Sequence, residues 1–215
     1  MAIGALTWNL TLYLSELFQL RRQSWWWQLK RGLKQEFRDL DPNQMVYNMR
    51  GAYHVDSLAF GETPVLSVLK ILDTLKLPKG STICDLGAGR GVPCLVAAAL
   101  GYKTIGLEYF AVYTERAQRI AEKMGVDATF ISGSFLSKPL PPADAYLVSA
   151  TAFPEEIRAQ LKLKLDEQAR IIVAQDWILG PPWEHERMQK LPVSWGTAQF
   201  CYQRKNPDAK ANGAP

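Results

Sequence analysis

One short segment constrains this chain more than any other: an apolar strand that ends in an acidic residue and leads into a glycine-rich turn. The strand is predicted over residues 82–86, and a helix of small residues follows it from position 92 to 100. Between them stand Asp85 and three glycines at alternate positions, Gly87, Gly89 and Gly91. Glycines allow a ligand to approach the backbone closely, and the start of the helix directs its N–H groups at that ligand. The segment predicts a nucleotide-like ligand, and Val92 excludes the dinucleotide fingerprint because that motif needs a third glycine there.

A second carboxylate is predicted beside this turn. Residues 103–108 read as a β-strand that ends in Glu108. In a doubly wound sheet the ligand lies outside the carboxyl ends of neighbouring strands, which brings Glu108 next to the glycines. Its carboxylate could then accept hydrogen bonds from both hydroxyls of a ribose. The alternative is a solvated glutamate at a strand end.

Strands and helices alternate from residue 60 onward. The alternation predicts a parallel sheet, and residues 193–204, broken by Gly196, predict an antiparallel hairpin that closes it. Thr63 is the expected cap of a helix that Pro64 begins. The expected fold class is α/β, a doubly wound and mostly parallel Rossmann-like sheet with a C-terminal hairpin. The expected organisation is an N-terminal helical extension (residues 1–50), the main domain (51–204) and a disordered tail (205–215).

The glycine motif resembles the first motif of class I S-adenosylmethionine (SAM)-dependent methyltransferases. Several loops over roughly residues 55–180 also resemble the non-SET lysine methyltransferases of chromatin and the mitochondrial lysine methyltransferases that act on a membrane subunit of ATP synthase. These loops are Phe60-Gly61-Glu62-Thr63, Gly106-Leu107-Glu108, Gly133-Ser134-Phe135-Leu136-Ser137 and Thr151-Ala152-Phe153-Pro154-Glu155. The resemblance implies a methyltransferase sheet, SAM as the cofactor and a lysine of a protein as the acceptor.

The same resemblance implies roles for individual residues. Glu62 and Thr63 would hold the methionine end of SAM, and Glu108 would bind the ribose. Around the methionine and ribose, the pocket would be shaped by Asp85, Gly87, Ala88, Gly89 and Gly91. Tyr109 and Phe135 would sandwich the adenine. Each has a simpler alternative, since Glu62 could be solvated and the two rings could be ordinary core.

The chain departs from the family at two places. Ser134 stands where the family has an acid that accepts the adenine amino group, and a neutral hydroxyl is the weaker acceptor. Ser149-Ala150-Thr151 stands where the family has Asn-Asn-Phe beside the reacting amine, so the acceptor channel is altered at its wall. The residues expected at the acceptor are Ser149, Thr151 and Phe153. Further aromatic candidates for the channel, each with burial as core as the alternative, are Phe60, Trp177, Trp183 and Trp195.

Three functions therefore remain open. The first is methyl transfer to a protein lysine or other protein nitrogen. The second is transfer to a small apolar or amphiphilic acceptor such as a quinone, lipid or pigment precursor, and the third is a SAM-fold binding or assembly protein without turnover. No Asp/Asn-Pro-Pro-Tyr motif follows the fourth strand, which argues against amino-methylation of adenine, cytosine or glutamine.

Composition adds limits on partners and compartment. A net charge of +4 is too small to indicate a nucleic-acid partner. Three cysteines without CxxC spacing predict buried thiols in a reducing compartment, hence a cytoplasmic protein, and the N-terminal segment leaves open a peripheral attachment to a membrane. His54 and His185 are far apart in the sequence, and no metal site is expected.

The first fifty residues differ from the rest of the chain, and the difference is strongest up to residue 38. Residues 1–20 are apolar with Glu16 as their only charge, and Trp25, Trp26 and Trp27 follow among arginines and lysines. Such a segment suits a helix at an anionic membrane surface, where indoles and cations meet the headgroups. The alternative, held equally, is a helical lid whose aromatic residues pack on the catalytic domain.

Overall fold

The computed structural model describes residues 2–40 and 61–206. Its elements in chain order are α1 (Ala2–Leu20), α2 (Ser24–Glu36), α3 (Val65–Leu75), β1 (Thr82–Leu86), α4 (Val92–Ala99), β2 (Lys103–Glu108), α5 (Ala111–Met124), β3 (Ala128–Ser132), β4 (Ala145–Ser149), α6 (Glu155–Gln168), β5 (Ile171–Gln175), β6 (Trp183–Val193) and β7 (Gly196–Lys205). The expected boundary at residue 50, and all of the expected tail beyond residue 206, lie outside the described residues.

The seven strands form one sheet in the order β3-β2-β1-β4-β5-β7-β6. Strands β1 to β5 pair in parallel, and β7 is antiparallel to both β5 and β6. The strand order reverses between β1 and β4, which is where doubly wound sheets bind ligands. The predicted fold class is confirmed, although the hairpin is longer than predicted because β6 begins at Trp183 instead of Val193.

Helices cover both faces of the sheet because alternate strand residues point to opposite sides. Ile83 and Leu147 belong to the core under α1 to α5, whereas Cys84 and Tyr146 belong to the core under α6. The three cysteines are free and buried, as predicted. No helix within the described ranges combines the length and hydrophobicity needed to cross a bilayer.

Helix α2 is an integral part of the first core. Trp26 and Leu29 have no exposed surface, and Leu33 and Phe37 are buried beside them. At its end, Glu36 forms ion pairs with Arg119 (2.8 Å) and Lys123 (2.5 Å) of α5. For α2, therefore, the packing alternative is the one observed, and Trp26 is core.

The single charge of α1 has a structural use. Glu16 is buried, and its Oε1 accepts a hydrogen bond from the N–H of Val65, 2.7 Å away, at the start of α3. Its Oε2 pairs with Lys30 of α2 at 2.6 Å. Pro64 occupies the cap position of α3, so the prediction that Thr63 caps this helix is wrong. A proline cap offers no side-chain acceptor, so the N–H of Val65 donates to Glu16 of α1 instead.

Candidate active site

A cavity of about 630 Å³ opens at the carboxyl ends of the parallel strands. Thirteen of the fourteen residues that the sequence predicts for the site line it: Glu62, Thr63, Asp85, Gly87, Ala88, Gly89, Glu108, Tyr109, Ser134, Phe135, Ser149, Thr151 and Phe153. Gly91 is the exception and lies behind the cavity, where a Cβ would stand 2.6 Å from the ring of Phe130. The topology thus gathers residues that are up to 91 positions apart, from Glu62 to Phe153.

The glycine turn is held open by its backbone conformation. Gly87 and Gly91 have φ values of +88° and +79°, which only glycine adopts without strain. A Cβ on Gly87 would meet no atom within 4 Å, because that space belongs to the cavity. The turn is fixed to β2 by a hydrogen bond of 2.8 Å from the N–H of Gly87 to the carbonyl of Leu107. The backbone of the turn therefore forms this part of the wall.

Glu108 joins the two strand ends. Its Oε2 accepts a hydrogen bond from the N–H of Gly89 (2.8 Å) and its Oε1 accepts one from Phe110 (3.0 Å). The carboxylate is buried, which raises its pKa, although the backbone donors oppose that rise. An ionised carboxylate has about four acceptor positions, so two remain for the hydroxyls of a ribose.

Asp85 is the second buried acid of the cofactor end. Burial, with a smaller contribution from the charge of Glu108, raises the pKa of Asp85 to about 7. Two carboxylates in one apolar pocket are costly without a positive ligand. Their placement fits a cationic cofactor such as SAM, whose sulfonium and ammonium both carry positive charge.

Glu62 has a partner that the sequence did not suggest. Arg90 donates from Nε to Glu62 Oε1 at 2.9 Å and from its terminal nitrogen to Oε2 at 2.5 Å, a bidentate ion pair across the cavity. Burial would lower the pKa of Arg90, but the charge and hydrogen bonds of Glu62 outweigh it and raise that pKa. Arg90 lies inside the glycine motif and lines the cavity, so it is a candidate partner for the carboxylate of the methionine end.

The aromatic candidates divide into wall and core. Phe135 and Phe153 contact each other with ring centroids 5.5 Å apart, which joins the predicted adenine site to the predicted acceptor site. Trp195, in the β6–β7 turn, also lines the cavity. Trp177 and Trp183 are buried in the core under α6 and do not belong to the cavity wall. Phe60 lies outside the described residues.

Ser134 shapes its own loop. Its Oγ accepts a hydrogen bond of 3.1 Å from the N–H of Leu136, which closes a tight turn on the cavity wall. The hydroxyl retains a second acceptor position and one donor. This is compatible with the predicted contact to an adenine amino group.

A chain of hydrogen bonds runs through the residues predicted at the acceptor, and it ends on an acid that sequence reasoning missed. Ser149 donates to Gln175 Oε1 (3.2 Å), Gln175 Nε2 donates to Thr151 Oγ1 (2.6 Å), and Thr151 donates to Asp176 Oδ2 (2.7 Å). Asp176 has a φ of +53°, a conformation that is uncommon outside glycine but that aspartate tolerates better than most residues. The signal that identifies Glu108, an acid at the carboxyl end of a parallel strand, applies equally to Asp176 after β5.

A family model describing an O-methyltransferase domain matches residues 32–162, more than half of the chain. The chain belongs to this family. The protein-L-isoaspartate O-methyltransferase of Methylorubrum extorquens (strain PA1) is 29% identical over 119 residues, which cover 54% of this chain and 49% of that protein. The chain thus spans about half the length of this curated relative.

Solved structures agree on the fold. An RNA methyltransferase from Salinibacter ruber, in complex with S-adenosyl-L-homocysteine, has a TM-score of 0.58 at 21% identity and covers 71% of this chain and 98% of its own. The magnesium protoporphyrin IX methyltransferase from Synechocystis PCC 6803, with bound SAM, has a TM-score of 0.58 at 14% identity and covers 78% and 99%. The predicted methyltransferase class, its fold and SAM as its cofactor are confirmed. The methyl acceptors named for these proteins differ from one another, so none of them is assigned to this chain.

Proposed function

We propose that the protein transfers a methyl group from SAM to a nitrogen of a protein side chain, in the simplest case a lysine amine. The observation that carries the proposal is the Thr151–Asp176 pair beside the Phe135–Phe153 wall. The aromatic rings favour a neutral amine, and the hydrogen-bonded pair gives that amine an acceptor for its N–H.

Thr151 is placed to orient a nucleophile that bears a proton. Its hydroxyl hydrogen points to Asp176, and one lone pair accepts from Gln175. The second lone pair is available to an incoming N–H, and the nearby carboxylate makes this oxygen a stronger acceptor. A carbon nucleophile has no N–H to donate, so this hydrogen-bond acceptor would not orient it.

Methyl transfer from SAM requires few further catalytic groups from the protein. SAM supplies an activated methyl group, so alignment of the nucleophile supplies much of the acceleration. An amine with a pKa near 10.4 is almost wholly protonated at pH 7, and only its neutral form attacks. The apolar rings lower that pKa, whereas a carboxylate nearby raises it. The single-turnover rate should therefore climb with pH through roughly 8 to 9, approaching tenfold per unit.

A second candidate, a small amphiphilic acceptor methylated on oxygen, is favoured by the O-methyltransferase family match. The two are separated by incubating methyl-labelled SAM with cell lysate and the protein, with Glu108→Ala as the control for background. Protein label that withstands alkali and co-migrates with methyllysine supports the proposal. Alkali-labile protein label indicates a carboxyl oxygen, label in the organic fraction indicates the small acceptor, and none indicates a binding protein.

A further inference from the structure

Helix α1 has one face committed to the domain. Trp8 Nε1 donates to the carbonyl of Val193 (2.8 Å), and Asn9 Nδ2 donates to that of Ser194 (2.9 Å). Further along, Glu16 is fixed by its contacts to α2 and α3, and Leu20 is buried. Trp8, Glu16 and Leu20 fall on one row of the helix, since they are separated by multiples of four residues.

The opposite row is apolar and exposed. Leu6, Leu10, Leu14 and Phe18 follow one another at four-residue intervals, with 74%, 54%, 52% and 74% of their surface exposed. Tyr13 beside them is 42% exposed. An unbroken apolar row on a helix that is otherwise anchored is a typical interaction surface.

The end of this row is basic and aromatic. The guanidinium of Arg21 lies 5.6 Å from the ring centroid of Phe18, and the half-exposed Trp27 donates from its indole N–H to the carbonyl of Arg21 (2.9 Å). Arg22 is exposed next to them. Residues 21–38 contain six basic residues and one acidic residue. An anionic lipid surface matches both parts of this surface, the apolar row and the arginine and indole at its end.

We propose that α1 lies in the interface of a bilayer that contains anionic lipid. The row Leu6, Leu10, Leu14 and Phe18 enters the acyl boundary, and Arg21 and Arg22 meet the headgroups. The contact differs from the one expected from the sequence, because the central tryptophan, Trp26, is core and α1 supplies the apolar surface.

This contact would orient the cavity. The hydrogen bonds from α1 reach Val193 and Ser194, and the next residue, Trp195, lines the cavity. A bilayer under α1 would therefore lie near the mouth, whatever the chemical nature of the acceptor. The inference does not depend on the proposed lysine substrate.

The test is co-sedimentation of the full chain with phosphatidylcholine vesicles that contain or lack phosphatidylserine. Wild type should pellet with the anionic vesicles and be released by high salt. Leu10→Glu/Leu14→Glu should lower partitioning at least about tenfold, since charge in an apolar boundary is costly. Arg21→Glu/Arg22→Glu should remove the preference for phosphatidylserine. Leu163→Glu is the matched control, an exposed leucine on α6 across the sheet.

Thermal melts and SAM binding verify that each variant is folded; these exposed positions make no core contact. The inference is overturned if wild type ignores both kinds of vesicle, if Leu10→Glu/Leu14→Glu pellets like wild type, or if Leu163→Glu is equally impaired. It is also overturned if wild type dimerises without lipid and the α1 variant does not, because the row is then an interface between two copies.

Discussion

The two ends of the cavity differ in whether backbone or side chains form most of the wall. At the ends of β1 and β2 the wall is backbone, shaped by glycines and held by the buried carboxylate of Glu108. At the ends of β4 and β5 the wall is a chain of side chains from Ser149 to Asp176. Under the proposed function, the first end binds a cofactor shared by a whole family, and the second end can change its acceptor with a few substitutions.

The largest expected effect concerns Asp85, the buried acid at the cofactor end, and the pH dependence of stability that it causes. Between pH 4 and 7 the folded chain keeps a proton on Asp85, whose pKa is about 7, while the unfolded chain has lost it. Folding then takes up a proton, so this residue makes stability fall as pH rises, by up to about 1.4 kcal/mol per unit. Asp85→Asn should remove that slope, and its stability relative to wild type should increase from pH 5 to 7 and level off above.

Urea unfolding of the two proteins at pH 5, 6, 7 and 8 measures the difference. Groups that do not interact with Asp85 cancel because both proteins share them, whereas Glu108 interacts with Asp85 and contributes to the difference. A difference that does not vary with pH would mean that Asp85 is hydrated, and the cofactor end would then lack the buried acid that distinguishes it from the other end.

Glu108 should have the next largest effect. Its loss removes a charged acceptor for two ribose hydroxyls, each hydrogen bond worth roughly 1.5 to 3 kcal/mol. Glu108→Ala should weaken SAM binding at least about tenfold, measured by calorimetry. Because Glu108 also holds Gly89, the loop needs a separate check, and Glu108→Gln, which keeps one acceptor oxygen, should retain the fold. Unchanged affinity in a folded Glu108→Ala variant would separate Glu108 from the cofactor.

The same contrast explains what sequence reasoning could reach. Glycine spacing and acids at strand ends are local patterns, and a parallel sheet brings strand ends together automatically, so Asp85 and Glu108 were predictable. The pairing of Glu62 with Arg90 joins residues 28 positions apart through loop geometry, which no local pattern encodes. Asp176 directly follows β5 and was therefore within reach of the same reasoning.

The N-terminal helices illustrate a different limit. The apolar and aromatic composition of residues 1–38 is compatible both with packing in the core and with contact to a membrane. Only the packing separates them, with Trp26 buried in α2 and Leu10 exposed on α1. Deletion of residues 1–38 should unfold the domain, because Leu29 and Leu33 are part of the core. If these residues contacted only a membrane, the domain would stay folded without them.

At the acceptor end, Thr151→Val should leave SAM affinity unchanged and lower kcat/KM for the acceptor about tenfold, since it removes one hydrogen bond supported by a carboxylate. Thr151→Ser keeps the hydroxyl and should recover most of the activity. If Thr151→Val weakens SAM binding as much as methyl transfer, the hydroxyl belongs to the cofactor end and the division of the cavity is wrong.

Phe153 should have the smallest effect and tests where the two ends meet. Its ring contacts Phe135, and such aromatic pairs contribute about 0.5 to 1.5 kcal/mol, equivalent to roughly two- to tenfold. Phe153→Ala should slow single-turnover transfer by that factor and change SAM affinity less than twofold, because the adenine side keeps Phe135. Phe153→Leu restores apolar volume and should recover part of the rate, which separates channel shape from loss of packing. Equal losses in transfer and SAM affinity would mean that the two rings form a single adenine wall, so that the acceptor channel begins at Thr151 instead.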